Sequence, residues 1–460
     1  MSSSCLSPAP SADNRFMSQS PPKSALFLIF ATVCIDLLGF GLVLPLLPIY
    51  GRELTASMSP NTAGMTLGLL MSCYTMMQFV FAPIWGRLSD RFGRRPILLL
   101  SLTGSTVFYF LFGLASVWRS LVWMFVARIG AGIAGATIPT AQAYIADVTT
   151  PEKRARGMAL IGAAFGLGFT LGPLVGAAAI FISHDVGVSP WPGFAAAGLS
   201  AMALTFAIFK LPESLNKEKA PKERRHFDLR SLVEAVSVPS IAILLVVVFL
   251  SVFALANFEG TISLLINDTL KAQSVDNVAT EHLSDHDRWL VSMRVFLVFA
   301  YIGVIQCVVQ GGVVRRLANT VSEARLAMIG VVLSVAGFAL LALMAETAVG
   351  GIPLLMLASA VEVSGIAFVF PAVQALISRR TDPAEQGGIL GAGESVSSMA
   401  RITGMMFGVW LFSVWPSVPY WSAAVMMGLV GGLVLLAVRT GTDFEEQASA
   451  ESTQGARAEA

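Results

Sequence analysis

The sequence predicts an all-α membrane protein of twelve transmembrane helices arranged as two pseudo-symmetric six-helix bundles. Three observations predict it. Hydrophobic residues make up 55% of the chain and charged residues 13%, against the usual quarter, and a mean hydropathy of +0.72 does not suit one water-soluble core. Twelve apolar runs approach or exceed the roughly 20 residues that carry a helix across about 30 Å of hydrocarbon. The two halves of the chain also share residues in register.

The elements follow in order. Residues 1–24 are polar, Ser/Pro-rich and short of the apolar stretch of a signal peptide, so they read as a disordered cytoplasmic tail. Residues 25–211 hold six spans: helix 1 at 25–49, helix 2 at 64–85, helix 3 at 97–117, helix 4 at 120–142, helix 5 at 157–182 and helix 6 at 191–211. Residues 212–236, rich in Lys, Glu and Arg, read as a cytoplasmic linker. Residues 237–439 hold the other six: helix 7 at 237–266, helix 8 at 290–312, helix 9 at 325–346, helix 10 at 352–376, helix 11 at 388–412 and helix 12 at 419–439. Residues 440–460 form an acidic, small-residue tail with no sign of a fold.

Lys and Arg favour cytoplasmic loops, and here they collect on one side: Arg87, Arg91, Arg94 and Arg95 after helix 2, Lys153, Arg154 and Arg156 after helix 4, the linker, Arg315 and Arg316, then Arg379 and Arg380. That places both termini in the cytoplasm. The basic residues are spread over short loops with no aromatic-lined groove, so nucleic acid is not an expected partner. Cys5, Cys34, Cys73 and Cys307 have no CxxC spacing or histidine neighbour, and neither metal nor cofactor is expected.

A shift of 232 residues lays Pro139, Gln142, Ala143, Thr149, Pro151, Gly172 and Gly176 on Pro371, Gln374, Ala375, Thr381, Pro383, Gly404 and Gly408. Prolines and glutamines in register point to duplication. Parallel repeats related by an axis along the membrane normal, with a site between them near the midplane, form the architecture of a large class of secondary transporters.

Four motifs then stand at the right helices. Gly86-Arg87-Leu88-Ser89-Asp90-Arg91-Phe92-Gly93-Arg94-Arg95 follows helix 2, and Arg128-Ile129-Gly130-Ala131-Gly132 lies on helix 4. Gly168, Gly172, Pro173 and Gly176 lie on helix 5, and Asp36-Leu37-Leu38-Gly39-Phe40-Gly41 precedes Pro45 and Pro48 on helix 1. In these the chain resembles the major facilitator superfamily, and within it the drug/proton antiporter branch that includes tetracycline efflux proteins. Ala177 stands where a second glycine often follows in that branch. The resemblance implies a bacterial inner-membrane exporter of amphipathic small molecules, coupled to protons and working as a monomer in the lipid bilayer. A proton symporter or facilitator for a sugar or other metabolite is the alternative, and a non-transporting receptor stands further off. No enzyme motif is present.

Candidate residues follow from the cost of charge in a membrane. Asp36 needs a partner or a proton; Arg128 is the expected partner, because the resemblance implies that helices 1 and 4 face each other. Burial disfavours the ionised acid and the arginine favours it, so a change in either would bind or release a proton. Glu259, Glu362 and Glu394 are further intramembrane acids, with Arg401 seven residues after Glu394 on the same helical face. These four, with Tyr74, Gln78, Gln142 and Gln374, are the substrate-cavity candidates. Gly86, Asp90, Arg91, Gly93, Arg94, Arg95 and Asp147 make up an expected cytoplasmic latch: the resemblance sets Asp90 against the start of helix 11, and Asp147 is expected to pair with Arg91 or Arg94. Gly168, Gly172 and Gly176 form a stripe along which another helix can approach closely. The polar segment from Asn267 to Trp289 is expected to be a surface insertion.

Overall fold

The computed structural model describes residues 23–149, 151–183, 188–215, 239–273, 285–318, 320–347, 350–381 and 386–440. Both expected tails, except Lys23, Ser24 and Thr440, and most of the expected linker lie outside these residues. Ten of the described helical segments are long and apolar enough to cross a membrane. Two more long helices, Pro151–Ser183 and Gln386–Val414, complete the order at positions 5 and 11. No strand occurs among the described residues.

Proline sets several boundaries. Helix 1 runs as Lys23–Val43, turns through Leu44, Pro45 and Leu46, and resumes as Leu47–Leu54 with Pro48 in its first turn, where a missing N–H leaves no helical bond unmade. Helix 4 is likewise split into Leu121–Ala134 and Ile138–Val148, with Pro139 in the first turn of the second piece. Helix 2 starts at Pro60, capped by Ser59 Oγ, which accepts from Thr62 N at 3.4 Å.

The expected charged loop after helix 2 is corrected. Helix 2 runs as Pro60–Phe92 and helix 3 begins at once as Arg94–Val117, so the loop shrinks to Gly93. Gly93 has φ +112°, a region open to glycine without the Cβ clash other residues suffer. The expected insertion at 267–289 is also shorter: helix 7, Pro239–Gln273, continues through its first part and helix 8 starts at Asp285, while residues 274–284 lie outside the described set.

Helix 8 (Asp285–Val308) ends in a π turn, Val309–Val314, and a last short turn, Arg315–Leu317. Helix 6 is Trp191–Lys210, helix 9 Glu323–Thr347, helix 10 Gly351–Arg379 and helix 12 Val418–Thr440.

In the first half helix 1 packs along helices 5 and 6, and helix 3 along helices 4 and 6. In the second, helix 7 packs along helices 11 and 12, and helix 9 along helices 10 and 12. Helix 1 matches helix 7 in this arrangement, as helix 5 matches helix 11. The halves meet where helix 2 lies on helix 11 and helix 5 on helix 8. Large apolar side chains such as Phe110, Val122, Phe209, Val332 and Leu429 point outward, as they must where hydrocarbon is the solvent.

Candidate functional site

Contacts between the halves lie toward the end away from the arginine-rich loops and in mid-helix. Arg52, at the end of helix 1, donates to Asp268 of helix 7 at 2.6 Å. On helix 2, Ser72 Oγ donates to the Ile402 carbonyl at 3.0 Å and Asn61 Oδ1 accepts from Trp410 Nε1 at 2.5 Å. Gly68 lets the helices touch, for a Cβ there would stand 2.7 Å from the Met406 carbonyl oxygen. Between helices 5 and 8, Gly303 sits against Thr170 and Gly176 against Phe296, while Trp289 Nε1 donates to the Ile180 carbonyl at 3.2 Å. At the arginine-rich end, Gly86, Gly311, Gly312 and Gly391 have nothing within 4 Å of where a Cβ would stand.

Beneath the closed end the first half carries one polar cluster. Asp36 Oδ1 accepts from Ser105 Oγ of helix 3 at 2.9 Å. Arg128 is 1% exposed, its three guanidinium nitrogens have no hydrogen-bond partner, and its charge lies 4.6 Å from the Tyr74 ring centre and 5.9 Å from that of Phe40. The expected Asp36–Arg128 ion pair is therefore not formed in this conformation. Phe40 and Tyr74 stack at 4.9 Å, and their faces supply the cation–π contact that the carboxylate does not. Gln78 Nε2 ties the cluster together, donating to the Tyr74 hydroxyl and to the Gly135 carbonyl, each at 3.1 Å. A small pocket beside Asp36 is lined by Thr32, Ser101 and Thr137 among others.

The second half is arranged differently from its expectation. Arg401 pairs with Glu259 across helices 11 and 7, and not with Glu394, which is exposed. Helix 7 lies directly beside helix 11, so a facing side chain on the neighbouring helix is reached before one two turns along the same helix. Glu362 is a second correction: it is fully buried and both carboxyl oxygens lack a partner, so it is sealed in the packing of helix 10 instead of lining the cavity. Gln142 is exposed and Gln374 half-buried, away from both clusters.

A pocket between the halves takes Leu44 from helix 1, Phe258 and Glu259 from helix 7, Phe299 and Gln306 from helix 8, and Val363 and Ile366 from helix 10. Its wall is apolar except at Glu259 and Gln306, and its volume of about 40 Å³ in this conformation is well below the several hundred Å³ of a typical small-molecule site. Sequence reasoning missed Gln306; its only signal was an amide within an apolar span.

At the arginine-rich end Arg94 is nearly buried and gathers several residues of the expected latch. It reaches Asp90 at 2.5 Å, Asp147 at 3.1 Å and Ser89 Oγ at 2.7 Å. Asp90 is thus engaged within its own half in this state, not at helix 11. Arg91 lies over the Phe92 ring at 5.4 Å, and Arg95 donates to the Ile208 carbonyl at 2.7 Å. Glu213, which sequence reasoning passed over, accepts from the backbone nitrogens of Arg94 at 2.8 Å and Arg95 at 3.2 Å. These are orphan donors at the start of helix 3, where a carboxylate is also favoured by the helix dipole. The helix 5 stripe divides: Gly168 and Gly172 face Leu37 and Gly41 of helix 1, whereas Gly176 faces helix 8. Pro173 is buried inside helix 5.

Residues 29–349 match the family described as Major Facilitator Superfamily. The tetracycline resistance protein, class C, of Escherichia coli is 32% identical over 383 residues, 83% of this chain and 88% of that protein. The crystal structure of the human organic anion transporter MFSD10 (TETRAN) superposes with a TM-score of 0.63 at 24% identity, covering 90% of this chain and 100% of that one. A D-xylose-proton symporter structure gives a TM-score of 0.64 at 16% identity, covering 89% and 97%.

Proposed function

The chain belongs to the Major Facilitator Superfamily of membrane transporters, and from that membership we propose that it is a proton-coupled antiporter exporting amphipathic, tetracycline-like small molecules. The observation that carries this reading is the cluster around Asp36. A carboxyl group held by one serine hydroxyl, in the same half as a buried guanidinium that lies over Phe40 and Tyr74 with no hydrogen-bond partner, has two arrangements available: separate with a proton on the acid, or paired without one. An unpaired charge in such surroundings is costly, so proton loss from Asp36 favours closing on Arg128, and that draws helices 1 and 4 together.

The substrate occupies the apolar pocket between the halves, with Glu259 and Gln306 as its polar contacts. Rocking of the halves breaks the contacts of Arg52, Ser72 and Asn61 at one end and joins helices 2 and 11 at the other. The charged last turn of helix 2 and the first turn of helix 3 act as the latch for that second closure, with Asp90 leaving Arg94 for the start of helix 11. The protein works as a monomer in the bacterial inner membrane with both termini in the cytoplasm. The similarity to a tetracycline resistance protein supports the substrate class.

The test is transport in everted vesicles with an imposed pH gradient, screening tetracyclines, cationic dyes and sugars, with Asp36→Asn in parallel. Substrate-dependent proton release by the wild type, absent from the variant, supports the reading. Full proton-driven transport by a folded Asp36→Asn protein refutes the role of Asp36, and the absence of proton release with every compound, from intact folded protein, shifts the assignment to a facilitator or a narrow metabolite carrier.

A further inference from the structure

Helix 4 is interrupted at Gly135, Ala136 and Thr137, and beside the break lies the pocket that contains Asp36. Interrupted membrane helices are where transporters hold ions, because unwound backbone and polar side chains reach the gap. The pocket's volume of about 20 Å³ exceeds the roughly 10–15 Å³ that one water needs and is far too small for an organic molecule.

Its polar side chains come from three helices and share one property. Thr32 of helix 1 donates its hydroxyl hydrogen to the Leu28 carbonyl at 2.9 Å. Ser101 of helix 3 donates to the Ala134 carbonyl at 2.7 Å, so in its 3.2 Å contact with Thr137 it is Ser101 that accepts and Thr137 that donates. Thr137 stands at the N-cap of Ile138–Val148 without bonding the amides of that helix. Each hydroxyl has spent its hydrogen and keeps only lone pairs. Asp36 engages Ser105 through Oδ1, and its Oδ2 accepts no hydrogen bond from the described residues.

A space lined by oxygen acceptors and one carboxylate suits a hard cation. Charge sets the valence. Asp36 is the one charged residue lining the pocket, and Arg128 does not pair with it in this conformation. A single positive charge therefore neutralises the site, whereas a divalent ion leaves an excess charge inside the membrane. Among the described residues no group of three or more His, Cys, Asp or Glu side chains gathers to hold a multivalent metal.

We propose that the pocket between helices 1, 3 and 4 is a sodium site, in which Asp36 Oδ2 and the hydroxyl oxygens of Thr32, Ser101 and Thr137 hold one dehydrated ion. Sodium is then a third way to meet the charge of Asp36, beside a proton and Arg128. The ion ties helix 1 to the break in helix 4, and the site stands whether or not protons drive transport.

The experiment is equilibrium binding of radioactive sodium to the purified full chain, in choline-based buffer at mildly alkaline pH. Saturable binding of one ion per chain is expected, with potassium competing poorly because it is the larger ion. Asp36→Asn abolishes it. Thr32→Val and Thr137→Val keep the side-chain shape, remove one oxygen each and weaken binding by about tenfold, while Thr32→Ser, which keeps the hydroxyl, restores it. Unfolding in choline, followed by tryptophan fluorescence, establishes that each variant is folded.

Absence of saturable sodium binding leaves a pocket for water alone and overturns the proposal, as does binding that survives in Asp36→Asn or that both valine variants leave unchanged. Proton-driven transport in sodium-free everted vesicles reads the antiporter assignment separately: its absence from a protein that binds sodium sinks that assignment and leaves the site standing.

Discussion

Replacing Gly172 with alanine puts a methyl group into the contact between helices 5 and 1. The added Cβ would lie 2.7 Å from the Gly41 carbonyl carbon and 2.9 Å from both the Gly41 Cα and the Leu42 nitrogen. All three are backbone atoms, so no side chain can turn aside. Carbon atoms rest about 3.5–4.0 Å apart, so the helices must separate by roughly 1 Å, and overpacking of this kind costs about 1–3 kcal/mol. Alanine also gains about 1 kcal/mol over glycine within a helix, which masks part of the loss. Gly198 on helix 6 supplies the control, since nothing lies within 4 Å of its Cβ position. The stability difference between Gly172→Ala and Gly198→Ala removes the shared helix gain and should be about 1–3 kcal/mol. Chemical unfolding in detergent, followed by tryptophan fluorescence, measures it. Equal stabilities for the two variants would refute the claim that helix 1 is seated on helix 5 by backbone contact.

Other consequences are open to simpler tests. Arg94→Ala removes the group that Asp90, Asp147 and Ser89 share; unfolding should show a loss of about 1–3 kcal/mol, and Arg94→Lys should restore only part because lysine cannot fork between two carboxylates. Glu213→Gln keeps the shape but removes the negative charge at the start of helix 3, with an expected loss of about 0.3–1 kcal/mol that shrinks with added salt. Arg52→Glu sets two acids together at the closed end, where the native pair is 46% and 33% exposed and so is worth at most about 1 kcal/mol. Spin-label distances across helices 1 and 7 should show opening, reversed when Asp268→Arg is added; a swap that fails to restore the short distance would discount the pair as a clasp.

The sequence determined the solvent, the number of long helices and the places where they approach one another. Apolar runs of membrane length, one-sided arginines and in-register prolines suffice for that, because hydrocarbon leaves a chain few ways to satisfy its backbone. The close approach at the glycines of helix 5 was legible because a missing side chain acts locally, whereas helices 1 and 4 were read as unbroken spans and the structure divides each beside its prolines. Polar partners were not legible. Arg401 and Glu394 share a helical face, yet the pair forms with Glu259. Asp36 and Arg128 lie on facing helices, yet in this conformation one holds Ser105 Oγ and the other lies over aromatic rings. Which acid meets which base depends on the rotation of each helix and on which end of the protein is closed. Both are properties of packing between elements distant in sequence, so only the tertiary structure decided them.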